Sequence, residues 1–315
     1  MLRVVFIGSS RFGLRCLEAL AAIPNVTCTG VITNPETFAI SYAKEGVKNV
    51  LHANVAQYAQ AQDIPVYTMQ KNMQEPELMA HLSVCKPDII LVVGWYHMVP
   101  RSIIETVPTY GMHASLLPDY SGGAPLVWAI INGEKETGIT LFQFADGVDN
   151  GPVLGQLKTP IGNADTIKTL YDRIEDLGLE LLRAQLPLLQ QGTAKLTVQD
   201  ESKRRLFPQR KPEDGRIDWN KPADAVYDFI RAQTRPYPGA FTMIGEDKLS
   251  IWESSVTAKQ PTAAVGTLLV EAEHAYVVCG DGRVLALRAV SINGADVALQ
   301  ALAPHHAHAF APKGT

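Results

Sequence analysis

Over its first half the chain alternates short apolar runs with segments whose apolar residues recur at helical spacing. Leu2–Ile7 is rich in Val and Ile and is bounded by Gly8-Ser9-Ser10, as a buried parallel strand should be. Phe12, Cys16, Leu17 and Leu20 then share a helical face, and Pro24 closes that segment. Further strands are predicted at Val26–Thr33, 65–67 and 88–93, with helices at 50–62 and 75–84. Parallel strands need crossover connections, so this repetition predicts an α/β, Rossmann-like, mostly parallel sheet with helices on both faces. Ligands of such sheets gather beyond the carboxyl ends of the strands, which directs attention to the loops after Ile7, Val93 and Met112.

Strands at 137–144 and 152–159 and a long amphipathic helix at 166–190 complete this half. Residues 200–216 are charged and contain Pro208 and Pro212, the composition of a linker. Beyond it one helix (223–232) precedes five short strands separated by turn residues, which predicts a smaller β-rich, OB-like barrel or sandwich. The expected division is 1–200, a linker at 201–216, a second domain at 217–304 and a loose tail at 305–315. His305, His306 and His308 lie in that tail, where a loose end reads better than a metal site; no metal is expected. Trp128 and Trp219 read as core residues.

Hydrophobic residues make up 46% and charged residues 19% of the 315, the balance of a soluble globular protein. The net charge of -4 offers no general attraction for a polyanion. No apolar run approaches the roughly 18–20 residues a bilayer requires, so no membrane partner is expected. Cys16, Cys28, Cys85 and Cys279 are scattered without a CxxC pair and read as free thiols in a reducing, cytoplasmic compartment.

Two stretches carry candidate chemistry. Gly8-Ser9-Ser10-Arg11-Phe12-Gly13 joins a strand to a helix, where backbone N–H groups can hold an anion. It lacks the GxGxxG and P-loop spacings, so a tight structural turn and a substrate approach through Ser9, Ser10 and Arg11 both stay open. The second stretch, 110–155, places His113 before a loop containing Pro118 and Gly122-Gly123, and Asp149 between Gly147 and Gly151. A His there can exchange a proton near neutrality, and a carboxylate can orient it and stabilise its cation. On residue types alone, a structural His and a turn-forming Asp remain open.

The wider pattern is more specific. His113-Ala-Ser-Leu-Leu-Pro118, Gly122-Gly-Ala-Pro125, Trp128-Ala-Ile, Asn132-Gly-Glu, Thr137-Gly-Ile-Thr140 and Val148-Asp-Asn-Gly151 resemble the folate-dependent formyltransferase family, as does the 36-residue interval from His113 to Asp149. Asp214-Gly-Arg-Ile-Asp-Trp219, Ile230-Arg-Ala and Arg235-Pro-Tyr-Pro-Gly-Ala-Phe241 resemble the second domain of its two-domain members, the sugar-nucleotide N-formyltransferases and methionyl-tRNA formyltransferases. The resemblance implies 10-formyltetrahydrofolate as formyl donor and His113 and Asp149 as catalytic residues. It places the pterin against the backbone of Val93, Gly94, Trp95 and Tyr96 and of Ala145, Asp146, Gly147 and Val148.

One position departs from the family. Where it has an Asn two residues before the His, this chain has Gly111. An oxyanion donor is typically worth about 3 kcal/mol in the transition state. Tyr96, Tyr110, Ser115 or Asn150, a backbone N–H or water is expected to substitute; hydrolysis in place of transfer, or binding without catalysis, are the alternatives. For the acceptor, a nucleotide-linked amino sugar held by Arg210, Arg231 and Arg235 is expected. From 211 to 315 there are 10 Lys+Arg against 12 Asp+Glu, which disfavours tRNA, although Lys203-Arg204-Arg205 offers a local basic patch. A homodimer is compatible with this outline. The segment 34–54 is a candidate for acceptor-specific loops.

Overall fold

The computed structural model describes residues 1–40 and 43–311. In chain order its strands are β1 (Leu2–Ile7), β2 (Val26–Thr33), β3 (Thr37–Ile40), β4 (Ala43–Lys48), β5 (Val66–Thr68), β6 (Ile89–Val92), β7 (Thr109–His113), β8 (Ser121–Gly122), β9 (Glu136–Gln143), β10 (Val153–Pro160), β11 (Leu206–Phe207), β12 (Ala240–Ile244), β13 (Asp247–Val256), β14 (Leu268–Glu271), β15 (His274–Val278), β16 (Val284–Ile292) and β17 (Ala295–Val297). The helices are α1 (Arg11–Leu20), α2 (Val55–Ala61), α3 (Pro76–Cys85), α4 (Arg101–Ile104), α5 (Pro125–Ile131), α6 (Ile167–Gln191) and α7 (Ala223–Arg231).

Seven strands form one sheet in the order β10-β9-β7-β6-β1-β2-β5. β5, β2, β1, β6 and β7 run parallel, and β9 returns antiparallel to β7. The predicted mostly parallel α/β sheet is therefore present. The central strand β6, Ile-Ile-Leu-Val, is apolar and buried throughout, as a strand covered on both faces should be. One face packs Val5, Ile7, Ile32, Ile90 and Val92 against Leu78 and Leu82 of α3 and Ile103 of α4. Helix α1 starts where Ser10 accepts a hydrogen bond from the Gly13 N–H at 3.0 Å, a side-chain N-cap.

The chain divides into two compact units that interleave along the sequence: Met1–Gly122, Gly138–Thr159 and Arg173–Leu206 in one, Gly123–Thr137, Pro160–Asp172 and Phe207–Thr315 in the other. The second contains the antiparallel sheet β12-β13-β16-β15-β14, with β17 paired to β16. Its core gathers Trp219, Val226, Ile230, Leu249, Ile251, Val277 and Leu287.

Two local expectations change. The antiparallel β3–β4 hairpin within 34–54 has no apolar run to announce it; Ser41 and Tyr42 lie outside the described residues. The expected loose tail is instead fastened as far as Phe310. Its ring stacks on Trp219 at 5.7 Å and 19°, and its N–H donates to the Gly266 carbonyl at 3.0 Å. His306 Nδ1 accepts from the Val270 N–H at 3.0 Å and the His308 carbonyl from the Leu268 N–H at 2.9 Å, so these residues satisfy the edge of β14. Among the described residues no three His, Cys, Asp or Glu side chains are grouped to hold a metal, and no helix is long and apolar enough to cross a membrane.

Candidate active site

His113 ends β7, and the period of two puts it on the same face as Gly111 and opposite Tyr110 and Met112. Its Nε2 lies 2.7 Å from the Tyr120 carbonyl. A carbonyl only accepts, so Nε2 carries a hydrogen, and the proton His113 can gain or lose sits on Nδ1. That atom is 3.6 Å from Asp149 Oδ2. The same carboxylate oxygen accepts the Gly122 N–H at 2.8 Å. Both side chains are mostly buried, 11% and 21% exposed. A His–carboxylate pair in this arrangement can pass a proton to or from a developing oxyanion.

Asp149 reaches this position from a loop that leaves β9 beside Thr109, where the Phe144 N–H donates to the Thr109 carbonyl at 2.7 Å. The loop then crosses the face of β7 that bears Gly111 and His113. Asp149 has φ 50°, a left-handed conformation that Asp tolerates better than most residues. Gln199 secures the turn: its Nε2 donates to the Asp149 and Gly151 carbonyls at 2.8 and 2.6 Å. Arg204 adds a bond to the Val148 carbonyl. Gln199 escapes sequence reasoning because fifty residues separate it from Asp149; the Val153–Thr197 bridge brings it near.

At Gly111 a Cβ would overlap the ring of Phe144, so an aromatic ring occupies the volume of the expected amide. The proposed replacement donors fare differently. Tyr110 faces away from His113. The Ser115 hydroxyl is buried and donates to the Asp119 carbonyl at 2.7 Å. Asn150 Nδ2 is spent on the Asp146 carbonyl at 2.9 Å, within its own loop. Tyr96 donates from its hydroxyl to Asn49 Oδ1 at 3.0 Å. Backbone N–H groups and water are the remaining candidates.

The loop Val93, Gly94, Trp95, Tyr96 follows β6, whose last residue pairs with Gly111, so it reaches the level of His113. Gly94 has φ 61°, and a Cβ there would collide with Ser10, so only glycine lets this loop close on the β1–α1 turn. Asp146 of the facing loop pairs with Arg101 at 3.6 Å, and Val148 is half exposed beside Gly147.

In the β1–α1 turn the three candidates separate. Ser10 caps α1, and Arg11 pairs with the buried Glu175 at 2.9 Å. Ser9 Oγ is fully buried with no hydrogen-bond partner among the described residues.

The arginines expected to hold a diphosphate, Arg210, Arg231 and Arg235, are each engaged by groups of their own unit. Arg210 lies over Trp128 at 4.7 Å and donates to the Asp214 carbonyl and Gln233 Oε1 at 2.9 and 2.8 Å; burial pulls its pKa down. Arg231 is buried, bonded to Asp228 at 2.7 Å and to the Gly162 and Asp165 carbonyls at 3.1 and 2.6 Å. Arg235 stacks on Trp252 at 4.5 Å and pairs with Asp296. The basic run is likewise partnered, Lys203 with Asp200 at 3.3 Å, Arg204 with Glu201 at 3.4 Å and Arg205 with Asp119 at 2.6 Å.

Comparison with known proteins matches residues 2–186 to the family described as Formyl transferase and residues 210–302 to its C-terminal domain. The fold is similar to an N-formyltransferase from Helicobacter canadensis solved with folinic acid and dTDP-3-aminofucose, at TM-score 0.68 and 20% identity over 91% of this chain and 99% of that one. A sugar 3N-formyl transferase solved with dTDP and 5-N-formyl-THF matches at 0.65 and 18%, over 91% and 97%. Methionyl-tRNA formyltransferase from Clostridium thermocellum matches at 0.55 and 17%, over 93% and 99%.

Proposed function

The chain belongs to the formyl transferase family, and from that premise we propose that it transfers a formyl group from 10-formyltetrahydrofolate to the amine of a nucleotide-linked amino sugar. The observation that carries this reading is the His113–Asp149 pair, 3.6 Å apart and fixed by Gly122, Tyr120 and Gln199. As the amine attacks the formyl carbon, His113 stabilises the oxyanion by charge and by the proton on Nδ1. Asp149 holds the cation and helps return the proton.

The donor acts as a second substrate. The 93–96 loop at the carboxyl end of β6 and the 145–148 loop over β7 are where its pterin would meet backbone groups, as family members imply. For the acceptor, two observations favour a small molecule over tRNA: the second domain is slightly acidic, and each cation of 203–205 already has an acidic partner. The two sugar N-formyltransferases of similar fold support an amino sugar as that small molecule. Four free cysteines, three of them buried, suit the cytoplasm.

The test is tetrahydrofolate release from 10-formyltetrahydrofolate on adding amine candidates in turn. Release that depends on a nucleotide-linked amino sugar supports the reading. Release without any amine shows hydrolysis, and release dependent on methionyl-tRNA overturns the acceptor.

A further inference from the structure

Tyr120 and Asp149, which meet His113 from two sides, have left-handed backbones at φ 53° and 50°. Neither is glycine, so both conformations crowd the side chain against the main chain and persist only where the surroundings over-determine them. Each serves a different nitrogen of His113. The Tyr120 carbonyl lies 2.7 Å from Nε2, and Asp149 Oδ2 lies 3.6 Å from Nδ1.

One short stretch, 199–205, fastens both residues within a single compact unit. Gln199 is 8% exposed, and its Nε2 donates to the Asp149 and Gly151 carbonyls at 2.8 and 2.6 Å. Further along, Arg205 Nε and Nη2 fork onto the two carboxylate oxygens of Asp119, at 2.6 Å each. Asp119 Oδ1 accepts the Tyr120 N–H at 2.9 Å, and the Arg205 guanidinium lies 4.7 Å over the Tyr120 ring. The Arg205 carbonyl accepts the Ser121 N–H at 3.0 Å, which pins the link between Tyr120 and Gly122, the donor to Asp149. The stretch therefore holds the partners of both nitrogens.

Alignment is what these contacts supply. A half-exposed ion pair adds little to stability, but a forked one fixes direction. With Tyr120 held, its carbonyl keeps a hydrogen on Nε2 and leaves Nδ1, beside Asp149, as the site that gains or loses a proton. A ring freed from that carbonyl can carry its single neutral-state hydrogen on either nitrogen. On the other side, an Asp149 loop released by Gln199 lets the carboxylate drift from Nδ1. A displacement of about 1 Å in a catalytic group can cost about 10²-fold in rate.

We propose that Gln199 and Arg205 are positioning residues for the His113–Asp149 pair. Gln199 holds the Asp149 carboxylate at Nδ1, and Arg205, through Asp119 and Tyr120, holds the hydrogen of His113 on Nε2. Their effect on rate rests on the formyl-transfer reading, whereas the state of the His113 ring is observable without turnover.

Nitrogen-15 NMR of the imidazole rings in the full chain tests this, with His113→Ala identifying the His113 signals. The wild type should show neutral His113 as the Nε2–H tautomer. Arg205→Ala, at a half-exposed site, should give a mixture of tautomers, and Arg205→Lys the same, because a Lys cannot fork onto Asp119. Gln199→Leu should move the Nδ1 resonance in the direction that Asp149→Asn moves it, and the double variant should move it no further. Should Gln199→Leu fail to fold, Gln199→Met, equally without a donor, takes its place. With 10-formyltetrahydrofolate and dTDP-3-aminofucose, Gln199→Leu and Arg205→Ala should each lower kcat about 10²-fold. On Asp149→Asn, Gln199→Leu should cost less than about twofold further. An Nε2–H tautomer that is absent from the wild type, or unchanged in Arg205→Ala, overturns the role of Arg205. A Gln199→Leu shift that is absent, or that adds to that of Asp149→Asn, overturns the role of Gln199. A wild type that shows these ring states and releases no tetrahydrofolate with the sugar nucleotide, methionyl-tRNA or water overturns formyl transfer and leaves the positioning standing.

Discussion

The ring of Phe144 fills the volume that a side chain on Gly111 would occupy. Phe144 is pinned there by its N–H bond to Thr109 and by packing on Phe142, centroids 5.2 Å apart. An amide donor at 111 therefore cannot be restored alone. Gly111→Asn is expected to lower Tm without raising kcat, because overpacking costs about 1–3 kcal/mol. Adding Phe144→Ala makes room for the amide, so the two changes should couple by more than about 1 kcal/mol in unfolding measurements. Additive effects would show that the two positions do not share this space.

Asp149→Asn separates charge from geometry. Asn tolerates the left-handed backbone and keeps an oxygen for the Gly122 N–H, while the charge beside His113 Nδ1 is lost. A fall in kcat of about 10²–10⁴ is expected with the folate KM within a few-fold. His113→Ala should abolish turnover with folate binding equally preserved. Steady-state kinetics and folate titration check both, and substantial turnover by His113→Ala would falsify the catalytic assignment.

The arginines of the second unit should report on stability. Arg231→Ala strips Asp228 and the Gly162 and Asp165 carbonyls of a buried partner, a loss of about 3 kcal/mol. Arg231→Lys cannot reproduce the three-way contact and should recover little of it. Arg235→Ala, at a half-exposed site, should leave the acceptor KM within a few-fold. A large rise in that KM would reinstate Arg235 as a substrate contact.

Phe310→Ala measures how firmly the chain end is held. Removing a buried ring stacked on Trp219 should cost about 3 kcal/mol and lower Tm by several degrees. An unchanged Tm would mean that the end is as loose as its composition suggests.

The parallel sheet was legible because the buried parts of β1 and β6 must be apolar on both faces, a demand that writes itself into continuous runs at Val4–Ile7 and Ile89–Val92. The antiparallel second domain was legible from its turn residues for the same local reason. His113 and Asp149 were legible as a pair only through the surrounding pattern, since neither residue type distinguishes a catalytic from a structural role. The β3–β4 hairpin was not, because Lys48, Glu36 and their neighbours carry no alternation to mark it. The grip on Phe310 was not, because its partner Trp219 is ninety residues away.

Residue types and their order along the chain thus determined the fold class and the candidate acid–base pair. Tertiary structure decided what those types do. It turned Arg210 and Arg231 inward, gave the place of an amide to Phe144, made Gln199 the clamp of the Asp149 loop and fastened Phe310 on Trp219. The reason is common to all four. A side chain's role follows from its nearest neighbours, and in a sheet closed by crossovers those neighbours come from distant parts of the chain.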